Sequence, residues 1–179
     1  MAALRCDPGR RAASAEVVLR RAGATDLGSV FALQQRAYAK NRPLLGVEPI
    51  PLLADYAHIL PTMEVWVLER DGRLLGALIL EPRPDDLLNW SLAADPSAEG
   101  MGIGRALLAA ADPRARQIGR PLLRLYTGTP LAHLVAWYGR HGYSIERIEA
   151  LSDRSITHMI KPLGPPLEPC SPCHASAPT

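Results

Sequence analysis

No stretch of this chain approaches the ~20 consecutive apolar residues that a membrane span requires. Cysteine is scarce and peripheral: Cys6, Cys170 and Cys173 all fall close to the ends. A core without cysteine needs no disulfide. Charge of one sign is not in excess either. The formal net charge of +2 is too small to argue for nucleic acid or a membrane surface as partner. The first residues carry arginine but lack the apolar segment of a secretory signal, so the expected location is cytoplasmic. Internal repeats are also missing.

What is present is ordinary for a soluble domain. With 179 residues, 47% apolar and 21% charged, the chain can bury one substantial core. Residues 1–15 mix Arg, Ala, Pro and Gly without periodicity and read as a flexible leader. Residues 164–179 hold five prolines and one acid and read as a disordered tail, which leaves 16–163 as the domain. Within that tail, Cys170-Ser171-Pro172-Cys173-His174 has the spacing of a haem attachment site. The lack of an export signal and the Pro-rich setting argue against haem. Two further ligands for a metal are not evident, so no metal is expected.

Between the ends, the periodicities alternate. Val17 to Arg20 reads as a strand. Thr25 is a good N-cap for a helix carrying Leu27, Val30, Phe31, Gln34 and Tyr38 at helical spacing. A link with Pro43, Pro49 and Pro51 leads to a second helix over 52–60, stopped by Pro61. Strands over 64–69 and 73–80 flank Asp71-Gly72, a strong hairpin signal. A strand over 87–94, a helix over 103–118 bent at Pro113 and a strand over 121–127 make one right-handed βαβ crossover with parallel strands. A helix over 131–141 closed by Gly142 and two final strands, 144–151 and 155–161, complete the order.

The crossover contains the most informative segment, Glu99-Gly100-Met101-Gly102-Ile103-Gly104-Arg105-Ala106-Leu107-Leu108. Glycines at alternate positions leave the backbone uncrowded where strand becomes helix, so several N–H groups can converge on one anion, most simply a phosphate. A nucleoside-triphosphate loop needs Lys-Ser/Thr after its last glycine, and Arg105-Ala106 stands there. A dinucleotide fingerprint needs a glycine at its sixth position. That position is Arg105 or Leu107, according to the glycine from which it is counted.

The loop resembles the acyl-CoA loop of the GNAT-type N-acetyltransferase superfamily: Arg or Gln, two residues, Gly, any residue, then Gly or Ala. The resemblance continues through Leu123-Arg124-Leu125-Tyr126-Thr127, through Ala136-Trp137-Tyr138-Gly139-Arg140-His141-Gly142-Tyr143 and through Met159-Ile160-Lys161-Pro162-Leu163, covering roughly residues 17 to 163. It departs at Glu99, where Arg or Gln is usual, and at Leu134, where many relatives carry an Asn that touches the cofactor.

The resemblance implies an α/β (α+β) fold with a mixed, mostly antiparallel sheet of six to seven strands and helices on both faces. It implies acetyl-CoA as cosubstrate, held by Leu92, Ala93, Ala94, Gly100, Met101, Gly102, Ile103, Gly104 and Arg105. The pantetheine arm would lie between the splayed parallel strands, against backbone groups of Leu92 and Ala94. The reaction implied is direct transfer of an acetyl group to a small-molecule or peptide amine in a ternary complex.

Tyr138 is the candidate general acid: a free phenol, near ~10, stays protonated where a thiol near ~8.5 leaves. As ordinary structure it would simply pack on the sheet beside Trp137 and Tyr143. No base is evident. Trp90 occupies the position where many relatives place a Glu, with Asn89 and Ser91 beside it, and Glu81, Glu69, Glu48, Asp55 and His58 read first as solvated groups. The segment from Tyr38 to His58 would wall the acceptor pocket, with Tyr56, Asp55 and Glu48 attracting a cationic amine. His133 and His141 read as solvent-facing. A non-catalytic acyl-CoA-binding module on the same fold is the second reading, and a nucleotide-binding domain a weaker third. Exposed sheet edges are compatible with a homodimer.

Overall fold

The computed structural model describes residues 16–164. Cys6, Cys170, Cys173 and the two terminal segments lie outside the described residues. Seven strands form one mixed sheet in the order β1-β2-β3-β4-β5-β7-β6. They are β1 (Val18–Arg21), β2 (Glu64–Arg70), β3 (Arg73–Pro82), β4 (Leu87–Ala94), β5 (Leu122–Gly128), β6 (Ser144–Ala150) and β7 (Ser155–Pro162). All neighbours are antiparallel except β4 and β5. Asp71 and Gly72 turn the β2–β3 hairpin at positive φ, 52° and 73°.

Helix α1 (Leu27–Tyr38) presents Val30 and Leu33 to one face of the sheet. Three short helices follow: α2 (Arg42–Leu45), α3 (Ile50–Leu53) and α4 (Tyr56–Thr62). On this face Tyr56 and Ile59 join Val65, Val67, Ala77 and Ile79. The opposite face carries α5 (Ile103–Gln117) and α6 (Ala132–Gly139). Here Leu107, Leu108 and Ala111 pack on Leu78, Leu80, Leu87, Leu123 and Leu125. Gly76 permits this close approach, since a Cβ there would sit 2.6 Å from Ile103 Cγ2 and 2.7 Å from Leu107 Cδ1. Gly142, at φ 89°, ends the α6 turn. Among the described residues no helix is long and apolar enough to cross a membrane.

Two local expectations are corrected. Thr25 does not cap α1. It lies in a 3-10 turn (Ala24–Asp26) whose Asp26 carboxylate accepts from the Gly23 N–H at 2.8 Å and pairs with Arg20. The helix expected over 52–60 is two pieces, because Asp55 accepts from Ala57 N–H and starts a new helix after the extended Ala54. Pro61 falls inside the last turn of α4 rather than ending it: its missing donor costs little there, and Met63 N–H still reaches Ile59. Helix α5, by contrast, runs through Pro113 as one element.

Candidate active site

Strands β4 and β5 pair over only three positions, Leu87 with Leu123, Leu88 with Arg124 and Asn89 with Leu125. Beyond them the strands part, and the gap opens as a cavity of about 520 Å³. The divergence has a local cause. In the β3–β4 ladder Ile79 faces Ser91 and Leu80 faces Asn89, so Trp90 is an extra residue, and such a bulge bends its strand. Because of it, Asn89 falls on the α5/α6 face with Leu80 and Leu125, while Ser91 and Trp90 serve the α1 face.

The gap edge of β4 carries free backbone groups. Asp95 N–H donates to the Leu75 carbonyl at 2.8 Å, which fixes the alternation of the strand. Ala93 therefore also turns its amide and carbonyl toward β3, and Leu92 and Ala94 turn theirs into the gap. Tyr38 Oη reaches the Leu92 carbonyl from the α1 side at a long 3.5 Å.

The glycine loop closes one end of the gap. Gly100 and Gly102 adopt positive φ, 80° and 74°, and Gly102 is the N-cap of α5. A side chain at either would be strained. Neither amide finds a backbone acceptor among the described residues, and the first α5 amides lack intrahelical partners by construction. Ile103 anchors the helix start in the core, while Met101 and Arg105 are exposed. Gly104 lines the cavity, and a Cβ there would meet Leu92 and Trp137 at 3.8 Å. A glycine-lined cradle of unpaired amides at a helix N-terminus suits a diphosphate.

Asp95 holds this loop to the sheet. Its side chain is 2% exposed and accepts from Ser97 N at 2.9 Å, Ser97 Oγ at 2.6 Å and Arg36 Nη2 at 2.8 Å. Burial alone would raise the Asp95 carboxyl. The Ser97 hydroxyl and amide and the Arg36 guanidinium outweigh that and hold it at about 2. A carboxyl lowered from 3.8 to about 2 adds stability that is complete above pH 4 and lost as the pH falls through 2. The contribution is on the order of 2 kcal/mol. Asp26, also held at about 2, chiefly by its hydrogen bond from Arg20, is lost in the same window. Asp95→Asn is expected to melt lower than the parent at pH 7, with the gap closing between pH 4 and pH 2. Thermal melts across that range check it.

Tyr138 lines the cavity from α6 and is 9% exposed. Its ring packs edge-on against Trp137 at 5.0 Å and Tyr143 at 5.9 Å. Burial is the main cause that raises its phenol above the ordinary 10. The hydroxyl makes no hydrogen bond to a described residue, which leaves its proton available to a ligand. On the α1 side a polar chain runs from Tyr38 Oη to Ser91 Oγ at 3.1 Å and on to Gln34 Oε1 at 3.1 Å.

The expected acceptor wall is placed differently. Part of the 38–51 segment does line the cavity, and Leu45 reaches over Gly128, while Arg154 Nη1 donates to the Glu48 carbonyl at 3.1 Å. Tyr56, however, is buried and donates to the Pro51 carbonyl at 2.8 Å. Asp55 is occupied as a helix cap, and Glu48 pairs with Arg42 at 2.7 Å. None of the three lines the cavity; Lys40, Asn41 and Arg154 do.

The base candidates fare no better. Glu81 pairs with Arg83 and Glu69 with Arg20, His58 is exposed, and none of them reaches the cavity. Glu99 is the only carboxylate among the lining residues. His133 is exposed at the cavity rim, but His141 is half-buried, its ring 4.4 Å from Trp137 and Nδ1 2.8 Å from the Trp137 carbonyl. Thr127 and Arg154 line the cavity without any local sequence signal, whereas Lys40 falls within the expected acceptor wall and Asn89 beside Trp90 on the fourth strand.

Comparison with known proteins agrees with this geometry. Residues 61–145 match the family model described as Acetyltransferase (GNAT) domain. A mycothiol acetyltransferase of Thermomonospora curvata is 31% identical over 86 residues, 46% of this chain and 29% of that protein. The chain therefore spans less than a third of that relative's length. The ribosomal-protein-S18-alanine N-acetyltransferase of Escherichia coli superposes with a TM-score of 0.67 at 20% identity, over 83% of this chain and 94% of that one. The PaiA N-acetyltransferase of Thermoplasma acidophilum, in complex with coenzyme A, gives 0.68 at 16% identity, over 82% and 99%. Residues 61–145, just under half of the chain, thus match the GNAT acetyltransferase domain, and the fold around them is the one these solved acetyltransferases share.

Proposed function

We propose that the protein transfers an acetyl group from acetyl-CoA to a primary amine by direct attack within a ternary complex. The observation that carries this is the parting of β4 and β5 beyond Asn89 and Leu125, beside a helix whose first amides are unpaired. The amides of Gly100, Gly102, Ile103, Gly104 and Arg105 are suited to the diphosphate, with Met101 on the outer rim. Leu92 and Ala94 offer backbone groups to the pantetheine arm, and Ala93 ties that edge to β3. The amine nitrogen attacks the thioester carbonyl carbon, the C–S bond breaks, and Tyr138 Oη protonates the departing sulfur. The amine's surplus proton returns to the phenolate through water, which restores the site.

The acceptor end of the cavity presents Lys40 and Arg154, with Tyr38, Asn41 and apolar Leu45, Val47 and Ile50. Lys40 has no acidic partner within 4.0 Å among the described residues. This supports an amine that is apolar or carries an acidic group, rather than a polycation. Thiol release with matched amines tests it: amino acids and aryl amines should outpace spermidine, and Lys40→Glu should narrow or reverse the order. Calorimetry with acetyl-CoA tests the donor. Heat on binding without thiol release from any amine would favour the acyl-CoA-binding module, a reading that the scarcity of cavity carboxylates keeps open. No heat at all would end both.

A further inference from the structure

Tyr38 is the last residue of α1, on the side of the sheet opposite Tyr138, and it lines the cavity as a half-buried side chain. Its hydroxyl stands at the edge of the gap, since Oη lies 3.5 Å from the Leu92 carbonyl that turns into it. At that distance the carbonyl is a poor partner, and Ser91 Oγ at 3.1 Å is the good one. Ser91 spends its own proton on Gln34 Oε1, so in the Tyr38–Ser91 bond the phenol donates. Both Oη lone pairs are then free, and with that bond reversed one still is. The chain from Gln34 through Ser91 therefore holds a phenol oxygen at the acceptor end of the cavity, able to receive a hydrogen bond. Other phenols do not offer this: Tyr56 Oη is taken by the Pro51 carbonyl, and Tyr143 Oη is buried out of reach.

We infer that Tyr38 Oη receives an N–H of the attacking amine and thereby turns the nitrogen lone pair toward the thioester carbon. Holding one N–H on a fixed oxygen removes most of the nitrogen's rotational freedom, the positioning that a two-substrate acyl transfer needs. The bond tightens as attack leaves the nitrogen partly positive, so it favours the transition state over bound amine. Desolvation, the main cause, raises the Tyr38 phenol above the ordinary 10, so it acts through its lone pairs and takes no proton. The backbone amides of Leu92 and Ala94, which face the same gap, are left to the thioester oxygen and the arm. Attack forms the N–C bond and moves the carbonyl pair onto oxygen. Collapse returns that pair, breaks the C–S bond and sends the sulfur to the proton of Tyr138. The nitrogen's other proton leaves through water to the Tyr138 phenolate, and the N–H on Tyr38 is the one the amide product keeps. The inference rests on the acyl-transfer reading and adds the group that orients its nucleophile.

The test is Tyr38→Phe in the full chain, with the fastest amine of the panel above. The ring stays, so melting should fall by no more than roughly 2–4 °C for the lost Ser91 bond. The kcat/KM for the amine should fall by roughly ten- to 100-fold, as for loss of one charge-assisted hydrogen bond. Acetyl-CoA affinity and the slow release of thiol in water without amine should stay within twofold, since neither uses an amine N–H. Ser91→Ala, which frees the Tyr38 hydroxyl without touching a ligand, should lose roughly three- to tenfold in the same kcat/KM. An amine kcat/KM within twofold of the parent in Tyr38→Phe would overturn the assignment. So would an equal fall in aminolysis and in amine-free thiol release, since that marks a structural phenol. If the parent releases no thiol with any amine, the acyl-transfer reading fails separately. Tyr38 is then judged by calorimetry with benzylamine on CoA-saturated protein, and an affinity equal in parent and Tyr38→Phe, or no heat in either, would dismiss it.

Discussion

Gly104→Val is expected to fold like the parent and to bind acetyl-CoA at least tenfold to 100-fold more weakly. The position is in the first turn of α5 and lines the cavity. A Cβ there meets Leu92 Cδ2 and the Trp137 ring at 3.8 Å, ordinary contact, so one methyl is accommodated. Gly104→Ala should therefore stabilise the helix slightly, by about 0.5–1 kcal/mol. The two further methyls of valine extend into the space between Leu92 and Trp137, where the pantetheine arm is proposed to pass. Displacing packed groups by that volume costs ~1–3 kcal/mol, which is roughly ten- to 100-fold in Kd. Calorimetry with acetyl-CoA across Gly, Ala and Val gives a graded series. Equal affinity in all three would place the arm elsewhere and remove the β4–β5 gap from the donor site. The contrast with Gly76 is instructive: a Cβ there collides with Ile103 and Leu107 at under 3 Å, so Gly76→Ala should lower stability, with affinity following only as the fold weakens.

The distinction between those two glycines was only half legible in the sequence. Gly104 belongs to a pattern of alternate glycines at a strand-to-helix junction, and local backbone chemistry is enough to assign it. Gly76 sits inside an apolar strand and matters because α5 lands on it, a contact that no local window contains. The same division runs through the whole site. The bounds of β4, the Asp71-Gly72 hairpin, the continuous α5 and the Gly142 cap all follow from patterns within a few residues, and the structure agrees with them. Trp90 is a bulge only because β3 offers one partner fewer than β4 has residues. That single offset moves Asn89 to the Tyr138 face and opens the gap. The acids expected in the acceptor wall were misplaced for a related reason: Asp55 and Glu48 find local partners, a helix amide and Arg42, before any cavity needs them. Lys40 has no acidic partner among the described residues and is one of the charged groups that line the cavity.

Tyr138→Phe is expected to reduce turnover by roughly 10²- to 10⁴-fold, the range for loss of a positioned proton donor, and to leave acetyl-CoA affinity near that of the parent. The fold should not notice the change. The ring contacts with Trp137 and Tyr143 are retained in phenylalanine, and the hydroxyl has no partner among the described residues to lose. Burial sets the direction of the pH argument. It raises the phenol above 10, so the group is fully protonated at neutral and mildly alkaline pH and has a proton to give throughout. The parent's rate should accordingly show no alkaline decline from Tyr138 below pH 10. What protonation by Tyr138 offers depends on how badly the sulfur needs it. The CoA thiol, with a pKa near ~8.5, leaves poorly as a thiolate, whereas an aryl thiol of lower pKa leaves unaided. With an aryl thioester as donor, the gap between Tyr138→Phe and the parent should therefore shrink, although absolute rates fall for want of the CoA diphosphate. A constant gap across leaving groups would assign Tyr138 to positioning of the arm instead of to proton transfer. An unchanged rate with acetyl-CoA would remove it from the reaction altogether.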